Sequence, residues 1–482
     1  MPNGAREETP LLKRAKGEPL AKQSPPLYLY FIIGCAALNS VNLGFDIGVN
    51  SGAFVLLQED VGLLDWQIGV CMGMLHFVAA LGGLMNHAIS DRFGRRRTFM
   101  IAQVLFILGV VIFCTAHSFT VLIIGRVFLG LGIGIGLAID ALYIAELAPA
   151  AQRGALVTWS EIGTNLGILI GFAANLVLDS LPAGVDWRVM IACGAFLPVV
   201  LMVLSVTVMP ESPRWLIAKG RESAAEDVLR RTHGPGQDIS GLASDIKHHI
   251  DVDAEYEHLG WAPLLRPDAA TRRMMMTGVG IAFAQQLNGI ESVVLYSPHI
   301  FREAGVATTT QGLFRATIVI GVVKTLFIVV SACFLDNVGR RPMLILSTSA
   351  MSVCLLLLSL GLLTGHMWLA MISVCCFLAF FSLGIGPICW LLAAEVFPLR
   401  IRAKALSLAT ALNRFTSGLV AATFPPLSNA MGLGWYYLMF ACITVLTAIF
   451  TYMVVPETKG RTLEQLMEDF RSDFADSEGK ML

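Results

Sequence analysis

Charged residues are scarce in this 482-residue chain. Only 14% of its residues are Asp, Glu, Lys or Arg, against about 25% in a soluble domain, and 55% are hydrophobic. The formal net charge of −1 offers no electrostatic attraction for nucleic acid, so we expect no such partner. The sequence also lacks a Gly-Lys-Ser/Thr phosphate-binding loop, an evident metal-ligand cluster and an evident catalytic triad. These absences argue against an ATP-driven pump and against an enzyme, and they imply neither a cofactor nor a metal.

Two features of secreted proteins are also missing. The ten cysteines all lie in apolar stretches and none lies in a predicted outer loop, so we expect small buried hydrophobic side chains rather than a disulfide framework. The first 27 residues are polar, and the apolar run that begins at Tyr28 is too long for the core of a cleavable signal peptide. We therefore expect this run to remain in place as a first membrane span.

Long apolar runs dominate the rest of the chain, and a helix needs about 20 such residues to cross a bilayer. The sequence predicts an all-α membrane protein with twelve spans, over residues 28–57, 67–88, 98–117, 119–142, 155–178, 187–209, 276–302, 312–334, 343–363, 367–392, 403–427 and 433–455. A polar segment between the sixth and seventh spans has helical periodicity over residues 222–232. The predicted divisions are a tail at 1–27, a six-helix bundle at 28–209, a helical linker at 210–275, a second six-helix bundle at 276–455 and a tail at 456–482.

Basic residues predict the orientation of the spans, because Lys and Arg collect in cytoplasmic loops. One set of short loops is basic, with Arg92, Arg95, Arg96, Arg97, Arg153, Arg340, Arg341, Arg400, Arg402 and Lys404. The opposite loops hold little beyond Arg188, Arg302 and Arg315. Both termini and the central segment are therefore predicted to be cytoplasmic.

The two predicted bundles repeat one another. The segment Ser90–Arg96 is echoed by Leu335–Arg341, and three motifs recur in the same order and at nearly the same offset. The charged members of two of these motifs are Asp91, Arg95, Arg96, Glu146 and Arg153 in the first half, and Asp336, Arg340, Arg341, Glu395 and Arg402 in the second. A duplicated six-span unit is typical of transporters whose halves rock about a site near the membrane midplane. We expect these motifs to form ion pairs that bias which gate is open, although they could also serve topology and solvation alone.

Six ionisable residues lie inside predicted spans: Asp46, Arg126, Glu161, Glu291, Lys324 and Arg414. A charge at the centre of a bilayer costs at least about 2.5–3.5 kcal/mol, so such residues usually face a bundle interior or a water-filled path. Their presence indicates a transporter on physical grounds alone.

Several motifs resemble the sugar porter family of the major facilitator superfamily over residues 28–470. They are Gly125-Arg126, Pro210-Glu211-Ser212-Pro213-Arg214, Gln285-Gln286-Leu287-Asn288-Gly289 and Pro456-Glu457-Thr458-Lys459-Gly460-Arg461. Within that family the stretches around Asp46, Glu291, Lys324 and Arg414 resemble plant-type polyol and monosaccharide proton symporters. The resemblance implies the major facilitator fold of two pseudo-symmetric bundles.

The resemblance implies that Asp46 accepts the proton and that Arg126 pairs with it. Burial favours the protonated form of a carboxylic acid and a nearby cation favours the ionised form, so a pair that toggles can couple a proton to a substrate. The alternative is a static ion pair that only holds helices together.

The resemblance also implies a substrate cavity lined by Gln285, Gln286 and Glu291, with Asn413 at a hydroxyl-binding position. Amide side chains both donate and accept hydrogen bonds, which suits a polyhydroxylated ligand. Trp390 follows Gly384, Gly386 and Pro387, which suggest a broken tenth helix; its indole could stack on a sugar ring or belong to an interfacial belt.

Three acidic or basic positions leave alternatives open. Glu161 could contact substrate, relay a proton or pair structurally. Lys324 and Arg414 need acidic partners, for which Glu291 and Glu161 are available, and either cation could also contact substrate.

Two residues depart from the family pattern. Asp140 is either a solvated charge at a helix end or an added site. His87 is expected to be a neutral, packed imidazole, with a pH-sensing role as the alternative.

Glu7, Leu11 and Leu12 in the first tail resemble an acidic dileucine sorting signal read by adaptor proteins. This resemblance is compatible with a vacuolar or endosomal location as well as with the plasma membrane, which we favour. The expected function is proton-coupled symport of polyols or monosaccharides by a lipid-embedded monomer; the alternatives are a passive facilitator and a sensor that does not transport.

Overall fold

The computed structural model describes residues 26–149, 153–234, 237–257, 261–459 and 465. Glu7, Leu11 and Leu12, the predicted sorting signal, lie outside the described residues. The side chains of Arg153 and Asp336 also lie outside that description, although both backbones belong to helices.

The first half of the chain forms a helical bundle. Its helices are α1 Leu27–Val61, α2 Asp65–Phe93, α3 Arg95–Cys114, α4 Phe119–Leu147, α5 Arg153–Leu178, α6 Asp186–Ala192 and α7 Phe196–Thr207. One 3-10 turn, Cys193–Ala195, joins α6 to α7, and together they form a single span. The central segment that follows contains α8 Pro213–Ala218, α9 Glu222–His233, α10 Ile239–Glu257 and α11 Ala262–Leu265.

The second half repeats the arrangement with more interruptions. Its helices are α12 Ala269–Leu287, α13 Ile290–Leu295, α14 Ser297–Glu303, α15 Thr310–Val338, α16 Arg340–Thr364, α17 Met367–Leu383, α18 Ile385–Val396, α19 Leu399–Met431 and α20 Leu433–Val454. The prediction of an all-α fold is confirmed.

Ten helices in the described part of the chain are long and apolar enough to cross a membrane. The other two predicted spans correspond to α12–α14 and to α19. They are not both long and apolar enough to meet that criterion, and the reason is physical. The seventh span is divided into three short helices, and α19 carries Asn413, Arg414 and two internal prolines. The two spans that fall short are therefore those that concentrate polar residues.

The predicted seventh span, residues 276–302, is divided into three helices rather than one. The chain leaves α12 at Asn288, and Gly289 adopts φ +80°, a left-handed conformation that strains any residue with a Cβ atom. In contrast, the predicted break in the tenth span is confirmed at Gly384, between α17 and α18. The Ser347 hydroxyl accepts from the Ile385 N–H (3.1 Å) and donates to the Phe380 carbonyl (2.8 Å), so it satisfies backbone groups freed by the break.

Each half packs its first helix tightly against its fifth. At the crossing of α1 and α5, a Cβ on Gly44 would lie 1.9 Å from the Thr164 carbonyl oxygen, and one on Gly167 would lie 2.1 Å from that of Val41. Glycine is required here because the backbones nearly touch, as in other membrane helix pairs. The halves meet along two further pairs, α2 with α19 and α5 with α15.

The basic motifs build matching clusters at one end of both halves, which we call the motif face. Arg95 binds Glu146 through two hydrogen bonds of 2.7 and 2.8 Å and also contacts Asp91 at 3.2 Å. Glu211 accepts from the backbone N–H groups of Arg95 (2.7 Å) and Arg96. The Arg96 guanidinium donates to the carbonyls of Ser205 and Val206 at the end of α7.

The second half repeats this cluster. Arg340 binds Glu395 at 3.1 Å, and Glu457 accepts from the backbone N–H groups of Arg340 (3.0 Å) and Arg341 (3.1 Å). The Arg341 side chain donates to the Tyr452 carbonyl at 2.7 Å. Arg402 donates instead to the carbonyl of Phe397, at 2.8 Å. Because the contacts recur, the motifs tie helix ends together in both halves.

Candidate substrate and proton site

The Asp46–Arg126 pair lies in the interior of the first bundle. Asp46 on α1 and Arg126 on α4 are 4% and 1% exposed, and Arg126 Nη1 lies 3.8 Å from Asp46 Oδ2. That distance permits attraction but exceeds a hydrogen bond, and Asp46 Oδ2 has no hydrogen-bond partner. Other groups position the guanidinium: it donates to Asn50 at 2.9 Å and lies against the rings of Phe54 and Phe113, at 4.8 and 4.6 Å from their centroids.

A second charged cluster lies where the two halves meet. Glu161 on α5 interacts electrostatically with Lys324 on α15 and with Arg414 on α19. Glu291 on α13 interacts with the same two cations and is 6% exposed. The cluster therefore contains two acids and two bases. Lys324 and Arg414 each interact with both acids, so neither cation belongs to one exclusive ion pair. Lys324 also lies 5.8 Å from the centre of the Phe381 ring.

Gln285, Asn413 and Arg414 form a hydrogen-bonded network around the helix breaks. Gln285 donates to the carbonyls of Gly386 (2.8 Å) and Ile385 (3.3 Å) and accepts from Asn413 at 2.7 Å. Arg414 in turn donates to Asn413 Oδ1 at 2.7 and 3.1 Å. All these residues belong to the second half, so the network fixes the broken tenth span against the eleventh.

Neighbouring amide groups are left without partners. Gln286 is 4% exposed and its Oε1 has no hydrogen bond, while its amide nitrogen reaches Asn413 only at 3.4 Å. Asn288 is fully buried and neither of its side-chain polar atoms has a partner. An unpaired buried amide costs about 1–3 kcal/mol, so these groups are suited to a ligand that both donates and accepts hydrogen bonds. Trp390 is partly buried on α18, beyond the break at Gly384.

Comparison with known proteins identifies the family to which this geometry belongs. The family model described as sugar (and other) transporter matches residues 32–470. The chain belongs to this family. It is therefore a transporter rather than an enzyme, and the resemblance noted from its motifs is confirmed.

Relatives of this transporter match along nearly its whole length. Probable polyol transporter 4 of Arabidopsis thaliana is 39% identical, over 94% of this chain and 87% of the relative. Probable metabolite transport protein CsbC of Bacillus subtilis is 31% identical, over 94% of this chain and 96% of the relative.

Solved structures of the xylose transporter XylE from E. coli match the fold. The proton:xylose symporter bound to 6-bromo-6-deoxy-D-glucose has a TM-score of 0.78 and 29% identity, over 92% of this chain and 99% of that one. The partially occluded inward-open form also has a TM-score of 0.78, with 28% identity, over 91% and 100% of the two chains. The predicted major facilitator fold is confirmed.

The sequence reasoning missed His76 of the transporter. This histidine on α2 is 2% exposed and interacts electrostatically with Glu291, Arg414 and Arg126. It therefore stands between the buried pair of the first half and the charged cluster between the halves. A histidine flanked by Leu75 and Phe77 in an apolar span was a visible signal, but treating histidine as neutral left it off the list of charged residues.

The structure excludes one of the two alternatives for Asp140 and contradicts the expectation for His87. Asp140 is only 1% exposed, so it is not a solvated charge, because the end of α4 packs against α1 and α5. His87 is not packed: its side chain is 71% exposed, and Nδ1 lies 2.9 Å from the Asp91 carboxylate one helical turn away. His87 thus belongs to the motif face and lies outside the bundle interior.

Proposed function

We propose that this transporter is a proton-coupled symporter of polyols and monosaccharides that works by alternating access. Its relatives include polyol transporters of Arabidopsis and a proton:xylose symporter of E. coli, and these support the substrate class and the coupling ion. The two halves, residues 28–209 and 276–455, would rock about the charged cluster between them.

The observation that carries the proposal is the geometry of Asp46. Its Oδ2 is buried and unpartnered, yet a cation lies 3.8 Å away. Protonation removes the attraction to Arg126, whereas ionisation restores it, so proton binding changes the interaction between the two residues. Arg126 keeps its contacts with Asn50, Phe54 and Phe113 in either state, which would allow the acid to change without unfolding the site.

The substrate would lie where the helix breaks face the first half. In this proposal Gln286, Glu161 and Glu291 bind hydroxyl groups, and Trp390 covers an apolar face of the ring or chain. Gln285 and Asn413 would shape the cavity and offer their remaining hydrogen-bonding capacity. Lys324 and Arg414 would balance the charges of Glu161 and Glu291 within the cavity.

His76 would connect the two sites. His76 interacts with both Arg126 and Glu291. A change of charge at Asp46 would therefore alter the electrostatic environment on the other side of the boundary between the halves. The residue thus offers a direct electrostatic route by which proton uptake changes the substrate cavity.

We further propose that the motif face is cytoplasmic, together with both termini and the segment 210–275. The basic residues in its loops support this orientation. Breaking the clusters of Arg95 with Glu146 and of Arg340 with Glu395 would accompany opening on that side. A monomer surrounded by lipid in the plasma membrane is the proposed working form, with an adaptor protein reading Glu7, Leu11 and Leu12.

Uptake into proteoliposomes tests the function. A membrane potential of 100 mV supplies about 2.3 kcal/mol per charge, so one proton could sustain a substrate gradient of about fiftyfold. The purified transporter should accumulate labelled polyol or hexose only when a proton gradient or potential is imposed, and a protonophore should abolish the accumulation. Equilibration without accumulation would identify a passive facilitator, and substrate binding without any flux would identify a sensor. A panel of unlabelled hexoses and polyols, added as competitors, would then define the substrate.

A further inference from the structure

We propose that Asp140 is the second proton-carrying residue of this transporter: it takes the proton released by Asp46, through the interior of the first bundle, on the side of the motif face. The proposal rests on the proposed symport and adds the route by which the proton moves away from Asp46. Protons would then travel separately from substrate, which passes between the halves.

The surroundings of Asp140 differ from those of Asp46. Asp140 lies on α4, Ser40 on α1 donates a hydrogen bond to its Oδ2, and the buried Oγ of Ser160 on α5 lies beside it. Its Oδ1 is buried and has no partner. Among the side chains that the structure describes, no cation or second acid interacts with Asp140. A buried carboxylate without a cation is costly, so this group favours binding a proton, and Oδ1 is the atom available to hold it.

A stripe of polar side chains connects the two acids. Asn39, Asn42, Asp46 and Asn50 recur on one face of α1 at spacings of three and four residues, and all four are buried. The helical rise places Ser40 about 9 Å from Asp46 along the axis of α1. The stripe is buried within the protein, because α4 and α5 pack against α1 and Gln103 of α3 bonds to Asn39.

A small cavity interrupts the packing beside this stripe. It is lined by the amide side chains of Asn39, Asn42 and Gln103 and by apolar neighbours from α3 and α4, and it is about large enough for one water molecule. Gln103 donates to Asn39 at 3.0 Å, while Asn42 Oδ1 has no partner within the protein. A water molecule there would have at least two polar groups to bind, which is what a buried water requires.

The proposed transfer balances without any other reactant. The Asp46 carboxylic acid releases one proton to water held at the amides, Ser40 accepts one proton on its oxygen, and the Ser40 O–H gives its own proton to Asp140. The amides orient the water and do not change protonation. Asp46 is then ionised opposite Arg126, and Asp140 is neutral about 10 Å along α4 from its end at Leu147, on the motif face.

Three variants in proteoliposomes test the relay: D140N, D140E and S40A. D140N preserves the size of the side chain and its hydrogen bond to Ser40, so a merely structural Asp140 would tolerate it. We expect D140N to exchange substrate in counterflow at the rate of the wild type and to lower proton-driven uptake about tenfold or more, because a missing proton-transfer group typically costs that much. D140E should restore proton-driven uptake, and S40A should reduce it while leaving counterflow unchanged.

Other outcomes overturn the proposal. If the wild type accumulates substrate and D140N shows the same proton-driven uptake, the relay is refuted while the proposed symport stands. Loss of counterflow in both D140N and D140E would identify Asp140 as a structural residue and would also refute the relay. If the wild-type transporter itself fails to accumulate substrate under a proton gradient, the proposed symport is wrong and the relay is wrong with it.

Discussion

Arg126 attracts Asp46 from 3.8 Å without hydrogen-bonding to it, and its own hydrogen bond goes to Asn50. The cation is therefore positioned by residues that do not titrate. This separation of positioning from attraction lets the acid exchange a proton while the helices keep their places, and the predictions below follow from it.

We expect R126K to lose most of its coupled uptake. A lysine keeps the charge, but it lacks the planar guanidinium that donates to Asn50 while lying against Phe54 and Phe113. The loss should be about tenfold or more in proton-driven accumulation, because removing a hydrogen bond to a charged group costs about 1.5–3 kcal/mol. Initial rates of uptake against external pH would measure it. Wild-type rates and pH dependence in R126K would show that the charge alone suffices.

We expect H76Q to weaken coupling, because glutamine retains hydrogen bonding but, unlike the imidazole near Glu291 and Arg126, cannot bind a proton. The pH dependence of the apparent KM for substrate should become flatter than in the wild type. The matched control is H87Q, which replaces a histidine of the same helix that is exposed on the motif face. Equal effects of the two variants would contradict a special role for the buried residue.

We expect G289A to destabilise the transporter and to impair substrate binding. Gly289 has φ +80°, and a Cβ there would lie 2.7 Å from the Phe440 ring, so the variant combines backbone strain of about 1–2 kcal/mol with a clash of about 1–3 kcal/mol. G305A is the control, because Gly305 has φ +72° but open space around its Cβ position. Apparent melting temperatures in detergent should fall in the order wild type, G305A, G289A. A smaller loss in G289A than in G305A would contradict this account of the break.

We expect E146Q to favour opening of the motif face. The change removes the charge that holds two hydrogen bonds from Arg95, in a pair where both side chains are at most 8% exposed. Labelling of a cysteine introduced in the crevice on that side should become faster, and uptake slower. E222Q serves as the control, because the pair of Glu222 with Lys247 is more than half exposed and contributes little. Unchanged labelling in E146Q would show that the motif fixes topology without gating.

Particular residues show how far the sequence alone could predict this molecule. The spans and the repeat follow from hydropathy and motif spacing, and Asp46 and Arg126 stand out because charge in an apolar run is conspicuous. Their pairing was implied by the resemblance to the sugar porters. The division of the seventh span into three helices could not be predicted in detail, because apolar length says nothing about φ. The sequence supplied the acids available to Lys324 and Arg414 but could not show that both cations share Glu161 and Glu291, since those four residues come from four helices.

Asp140 and His87 show that sequence does not predict burial near the end of a span, since the first is buried and the second is exposed. Both lie near the ends of predicted spans, where sequence cannot distinguish a buried side chain from a solvated one. Packing of α4 against its neighbours buries Asp140, whereas the face of α2 that carries His87 is open. Burial at a helix end depends on tertiary contacts, which a single sequence does not contain.

The most direct test of the central claim is a comparison of D46N with the wild-type transporter in proteoliposomes, measuring both proton-driven accumulation and substrate counterflow. The substituted asparagine would keep the shape of the Asp46 side chain but could not take up or release a proton. The account predicts that counterflow persists while accumulation above equilibrium disappears. Accumulation by D46N to the wild-type level would contradict it.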